Sequence, residues 1–334
     1  MSGSGVLRPA YLALILSLAE ALAAQEAPLR AGIIGLDTSH AVAFTRLLND
    51  PDATGPRARI QVTAAFPGGS PDIASSRERL AGFTAEIRTL GVRIVDSIPD
   101  LLAEVDVVLL ESVDGRPHLD QARLVIEAGK PLFIDKPLAG TFADCMAIAN
   151  LARERGLPWF SSSSLRFSPG ILAMREKVGT VLGCDAFGPC TLEPNHPDLF
   201  WYGIHGVEIL FTIMGPGCVS VRRTQTADFE QVTGVWEDGR IGTFRGIRSG
   251  KSGYGAMVFG SEGIERSGEY AGYAPLVEEI ARFFVSRRPP VPVAETLEIY
   301  AFMAAADLSR ERGGAPVSVA EVRRAAGTRD DGRR

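Results

Sequence analysis

The chain is poor in cysteine, short of long apolar runs and without an excess of positive charge. Its four cysteines, Cys145, Cys184, Cys190 and Cys218, form no C-x-x-C pair, so neither a zinc ribbon nor a thioredoxin-type site is indicated. Lys and Arg total 35 against 40 Asp and Glu, a net charge of −5, which argues against a nucleic-acid partner. Arg323, Arg324, Arg329, Arg333 and Arg334 do cluster, but Asp330 and Asp331 interrupt them, and residues 319–334 read as a frayed, solvated tail. No apolar run reaches the roughly 20 residues that span a bilayer. There is no internal repeat and no long low-complexity segment. What remains is an ordinary soluble balance, 46% hydrophobic and 22% charged over 334 residues, enough for two domains.

The N-terminus carries a targeting pattern. Arg8 precedes the apolar run 10–18, small residues follow at Ala21, Ala23 and Ala24, and the polar Gln25 and Glu26 come next. That order predicts a secretory signal peptide over residues 1–24, and so an exported protein, periplasmic or secreted, with no stable membrane span after cleavage. No twin arginine is present, so export is expected in the unfolded state. In that setting Cys184 and Cys190 are close enough in sequence to pair, whereas Cys145 reads as a small core residue.

From residue 28 to about 160, short apolar strands alternate with helical spacing. Strands are expected at 29–35, 60–65, 93–95, 105–111 and 131–135. Helices are expected at 41–48, 75–90, 98–104, 118–128 and 142–155. Continuous apolar strands in such alternation predict a doubly wound parallel sheet covered on both faces, a Rossmann-like α/β domain. Past the serine run 161–164 the pattern changes to short alternating strands with a few helices. Residues 161–318 therefore read as an α+β domain with an open, mostly antiparallel sheet.

Two segments carry chemistry. Phe133-Ile134-Asp135-Lys136-Pro137-Leu138 reads as a buried strand ending in a lysine. Tyr202-Gly203-Ile204-His205 opens a helix with a histidine in its first turn. A lysine held at a strand end and a histidine on a helix make a proton-transfer pair, because burial tunes both toward neutral pH.

In order and spacing these segments resemble the Gfo/Idh/MocA family of sugar and cyclitol dehydrogenases. The resemblance starts with Ile33-Ile34-Gly35 and runs through Asp106–Leu110 with His118. It continues in the segment Gly129-Lys130-Pro131 to Asp135-Lys136-Pro137, where Asp replaces the family's Glu. Arg166-Phe167-Ser168-Pro169, Gly203-Ile204-His205 with Met214-Gly215, Val258–Gly263 and Ala294–Ser309 complete it. The resemblance implies a sugar or cyclitol substrate, NAD or NADP as cofactor and a homo-oligomer. It implies His205 as base on a hydroxyl, Lys136 holding the same oxygen, and Asp135 beside them. At the carboxyl edge of the first sheet, where such folds bind ligands, Gly35, Asp37, Thr38, Ser39, His40, Glu111 and Asp114 are the cofactor-side candidates, and Arg116, His118, Arg166, Trp201 and Tyr202 the substrate-side candidates.

The chain departs from that family at definite places. After the first strand a dinucleotide fold expects G-x-G-x-x-G; here stands Gly35-Leu36-Asp37-Thr38-Ser39-His40. No acid follows the second strand, where Phe66-Pro67-Gly68-Gly69 stands, and Trp201 occupies the place of an acid that would orient His205. Asp37, Thr38 and Ser39 suit a helix cap. Equally, Asp37 and His40 suit a new polar site with Glu111, Asp114 and Arg116. Asp37, His40, His118 and His205 are also metal-type ligands, although their spacing defines no metal site. Three functions stay open: an NAD(P)-dependent dehydrogenase, a cofactor-independent keto-sugar lyase or hydratase using Lys136 and His205, and a carbohydrate-binding protein.

Overall fold

The computed structural model describes residues 27–327; the expected signal peptide lies outside the described residues. The first unit is a six-stranded sheet in the order β3-β2-β1-β4-β5-β6. Its strands are β1 Leu29–Ile34, β2 Ile60–Phe66, β3 Arg93–Ile94, β4 Val107–Leu110, β5 Leu132–Ile134 and β6 Trp159–Ser161, all paired in parallel. Helices α1 Ser39–Leu48, α2 Ala74–Thr89, α3 Ile98–Glu104, α4 His118–Glu127 and α5 Phe142–Glu154 connect them. β4 and β5 are buried at every residue, as strands covered on both faces must be. Thr38, Ser97 and Thr141 cap α1, α3 and α5 by accepting backbone N–H groups, which sets where each helix starts.

The second sheet has seven strands in the order β12-β11-β7-β10-β9-β8-β13. They are β7 Val181–Pro189, β8 Cys218–Gln225, β9 Phe229–Trp236, β10 Ile241–Ile247, β11 Gly255–Gly260, β12 Ile264–Arg266 and β13 Val317–Ser318. Only the central pair β7 and β10 is parallel. Two short turns, α6 Pro169–Leu172 and α7 Met174–Val178, lead into β7. α8 Ile204–Met214 lies across one face so closely that a Cβ on Gly206 would stand 2.1 Å from the Phe244 ring. The opposite face is open, with Leu182, Val219, Val235 and Ile241 exposed.

Two helices tie the units together. α9 Ala274–Ser286 returns to the first sheet, where Leu276, Ile280, Phe283 and Phe284 join Phe44, Phe133 and Phe160 in one core. α10 Val293–Glu311 packs against both α5 and β8, so each unit's core is closed by residues distant in sequence.

Two expectations are corrected. Residues 319–327 are not frayed: they form α11 Val319–Gly327, with Val319 and Val322 buried against α5 and α10. Cys184 and Cys190 do not pair; all four cysteines are free and buried. The two stand six residues apart with extended strand between them, a separation of roughly 20 Å, against the less than about 7 Å between Cα atoms that a disulfide needs.

Candidate active site

The carboxyl ends of β1, β4 and β5 face α8 across a cavity of about 510 Å³. α1 contributes Ser39 and His40, the end of β5 contributes Lys136, and the segment entering α8 contributes Trp201, Tyr202 and His205. Tyr254, Tyr270 and Tyr273 complete the wall.

Lys136 is buried, with its ammonium 5.6 Å from the centre of the Tyr202 ring. Burial lowers its pKa, and the Asp135 and Glu111 carboxyl groups oppose that shift without cancelling it. Such an amine is a better proton donor and acceptor near neutrality than a solvated lysine.

His205 is the second residue of α8, directly after a single π-helical turn over Leu199–Gly203. Its Nδ1 lies 2.7 Å from Ser163 Oγ. In the tautomer that donates Nδ1–H to Ser163, Nε2 is free to accept a proton. Burial, then the positive charges of Lys136 and His40, hold its pKa well below the ordinary imidazole value. His205 is thus a neutral base at pH 7. Where an acid would orient it, Trp201 instead leans on His196, ring centres 5.4 Å apart. Ser163, from the serine run, supplies the orienting contact. The sequence leaves that run open as a sugar contact or a polar strand end; the signal for its role was an unpartnered base needing a third group. Tyr270 and Tyr273 were also missed, though Gly268-Glu269-Tyr270-Ala271-Gly272-Tyr273 is a glycine-spaced aromatic loop.

Asp135 and His40 are joined at 2.6 Å between Oδ2 and Nδ1. Burial works to raise the Asp135 pKa, but the charges of His40 and Lys136 more than offset it, and Asp135 ends below the usual carboxylate range. Glu111 is fully buried beside them; burial, then repulsion from Asp135, pushes it well above that range.

The remaining sequence candidates lie elsewhere. The Arg166 guanidinium is held by Glu208 at 2.6 Å and Glu295 at 2.7 Å. His118 is fully buried, with ring nitrogens 3.2 Å and 2.9 Å from the Leu138 and Ser112 carbonyls. Arg116 pairs with Asp114 and Asp72. None of the three lines the cavity. Nor are Asp37, His40, His118 and His205 gathered as one ligand set. The donor atoms that do converge, within 4.8 Å, are those of His40, Glu111 and Asp135, and Lys136 supplies positive charge beside them.

Whether a dinucleotide fits depends on the loops after β1, β2 and β4, across which the adenosine half of such a cofactor lies in this class of fold. Gly35 keeps its role: at φ +94° a Cβ there would stand 2.3 Å from the Ser112 backbone nitrogen. The rest of the crevice departs from a glycine loop, although the cavity runs into it past Thr38, Ser39, Ser75, Arg79 and Val113. Asp37 is fully buried and accepts from Val113 N–H at 3.1 Å and Ser76 O–H at 2.6 Å. Ser70 donates to Asp114 at 2.6 Å, and Arg116 forks onto Asp72 at 2.8 Å. His40, at the third glycine position, is pinned to Asp135. These residues do not fit a dinucleotide held in the ordinary way: the Asp37 side chain, bonded to Val113 and Ser76, stands where the backbone of a glycine would meet pyrophosphate.

Residues 29–162 match the family model described as an oxidoreductase family with an NAD-binding Rossmann fold, GFO_IDH_MocA. Over that segment the chain is similar to the Gfo/Idh/MocA family. Inositol 2-dehydrogenase 2 of Saccharopolyspora erythraea is 29% identical over 154 residues, covering 42% of this chain and 44% of that protein. The 1,5-anhydro-D-fructose reductase of Ensifer adhaerens is 29% identical over 129 residues, 37% of this chain and 38% of its own. The chain thus spans about two fifths of these curated relatives. The structure of myo-inositol dehydrogenase from Lactobacillus casei in complex with NAD(H) and myo-inositol superposes with a TM-score of 0.69 at 18% identity. That match covers 87% of this chain and 96% of that one, and so shares the whole two-unit fold. The Gfo/Idh/MocA fold is therefore kept here while the loop that serves the dinucleotide has been rebuilt.

Proposed function

We propose that the chain is an enzyme acting on a sugar or cyclitol by proton transfer, with Lys136 and His205 as the working pair. The single observation that carries this reading is that Lys136 and His205, both buried, face one cavity lined by aromatic rings. Tyrosine faces suit the C–H faces of a pyranose or cyclitol ring, and their hydroxyls suit its oxygens. His205 takes a proton, and Lys136 holds the oxygen on which negative charge develops. The lyase or hydratase alternative needs nothing more, since a proton beside a ketone is acidic enough for an imidazole base. An NAD(P)-dependent oxidation would use the same pair on a hydroxyl, but would require pyrophosphate to be held beside the Asp37 side chain rather than by a glycine loop.

Calorimetric titration with NAD(H) and NADP(H) separates the two. No binding heat at millimolar cofactor is expected for the native protein. Saturable binding would restore the dehydrogenase reading. Asp37→Gly removes the buried carboxylate but leaves the Val113 N–H and Ser76 O–H without it. It is expected to cost about 1–3 kcal/mol of stability in a denaturant melt.

The pH profile is a second check. With the His205 pKa below the ordinary imidazole value of about 6.5, the base stays neutral as pH falls through that value. Turnover should hold level through pH 6.5 and decline only at lower pH; an acid limb centred at or above 6.5 would remove His205 as the base. Export, as the N-terminal pattern predicts, and self-association through the open face of the second sheet belong to the same reading. Size-exclusion with light scattering tests the latter.

A further inference from the structure

We propose that His40, oriented by Asp135, is a second catalytic acid–base of this cavity, working from the wall opposite His205. The inference rests on the proton-transfer function above. The ring of His40 is held on three sides. Nδ1 meets Asp135 Oδ2 at 2.6 Å, Phe44 stacks at 5.4 Å, and Tyr273 presents its edge at 4.7 Å. With Nδ1 committed to the carboxylate, Nε2 is the ring nitrogen left for the cavity that His40 lines. This is the arrangement of an acid–base group fixed by a third residue. His205 comes from the other unit, between Tyr202 and Tyr254.

A packing role would not require these groups. Phe44, Phe133 and Tyr273 already make an aromatic cluster around the site, and a hydrophobic residue at 40 would extend it. Instead Asp135 and Glu111 are buried beneath His40, with Asp135 Oδ1 and both Glu111 oxygens lacking hydrogen-bond partners in the described structure. Burying such groups costs several kcal/mol without a structural return. Asp135 is a positioning residue: it fixes the imidazole and balances the charge of an imidazolium. Glu111, pushed toward its neutral form, leaves that role to Asp135.

The chemistry is a β-elimination from a 3-keto glycoside. His205 takes the proton from C2, and the C2–H electrons form an enolate whose oxygen is held by Lys136. The enolate then expels the C1 substituent: C1=C2 forms, the C3 carbonyl returns and the C1–O bond breaks. The departing oxygen takes the proton of His40 Nε2 and leaves as an alcohol. The products are an enone and an alcohol; nothing is oxidised or reduced, and the proton gained by His205 returns to His40 through solvent.

The test uses methyl and 4-nitrophenyl 3-keto-α-glucosides, in which C2–H and the C1–O bond lie on opposite faces, with the full chain. Nitrophenolate leaves without acid help and methoxide does not. His40→Asn should lower turnover of the methyl glycoside by about 10²–10⁴-fold and of the nitrophenyl glycoside by less than about tenfold, the span of general-acid catalysis. Exchange of the C2 proton in D₂O, followed by NMR, should persist in His40→Asn and vanish in His205→Asn. Asp135→Asn should show the same leaving-group pattern with a smaller loss, and it decides the matter if His40→Asn does not fold. Equal losses on both glycosides, or no loss on either, would overturn the assignment of His40. If the native protein neither exchanges the C2 proton nor turns over either glycoside, the proton-transfer function itself falls.

Discussion

His205→Asn lowers kcat by about two to four orders of magnitude and changes KM by no more than a few fold, the expected signature of a missing general base. Asparagine keeps the polar contact that the side chain makes toward Ser163 but offers no nitrogen that can take up a proton. The fold should survive, because α8 is held by its apolar residues Val207, Ile209, Leu210 and Phe211, all fully buried. Ser163→Ala should reproduce part of the loss, by freeing the tautomer rather than removing the base, and should move the acid limb of the pH profile. Lys136→Ala should be as damaging as His205→Asn, because it removes the only ammonium lining the cavity among the described residues. Comparable turnover in His205→Asn and the native protein would end the assignment.

Arg223→Met is expected to be the most destabilising single change outside the cavity. The guanidinium is fully buried in β8 and holds Glu230 at 2.6 Å and 2.7 Å, together with Asp198 and Asp307. Glu230 is equally buried. Methionine matches the volume but leaves three carboxylates sharing what remains, chiefly Arg248 on Glu230 and Arg310 on Asp198. Removing one partner of a buried ionic network costs about 3–5 kcal/mol, because the buried charges that remain lose most of their compensation. For a chain of this size the melting temperature should fall by on the order of 10 °C, read by calorimetry. Arg223→Lys should recover little, since a point charge cannot fork onto three carboxylates as the guanidinium does. A melting temperature within about 2 °C of the native value would show that the network contributes almost nothing.

Much was legible in the sequence where the signal is local. The fully apolar strands β4 and β5, the cap at Thr38, and the turn from helix–strand alternation to short strands all follow from neighbouring residues. Lys136 and His205 were readable because one ends an apolar strand and the other opens an apolar helix. The second unit was less so: β7 runs over Val181–Pro189, and the chain leaves it where Pro189, Pro194 and Pro197 interrupt pairing.

By itself the sequence determined the two-unit fold, the loss of the glycine loop and the placing of a lysine and a histidine at element ends. These are properties of periodicity, capping and backbone freedom, each decided within a few residues. Only the tertiary structure decided what the altered residues do. Asp37 reads as a cap or a ligand until the fold brings it to Val113 and Ser76, residues 76 and 39 positions away. Arg166 and His118 look like site residues until Glu208, Glu295 and two carbonyls are seen to hold them. Ser163 reaches His205, and Asp135 reaches His40, across 42 and 95 positions. Burial and partner distance set whether a polar side chain is chemistry or scaffold, and both arise only when distant segments close on one another.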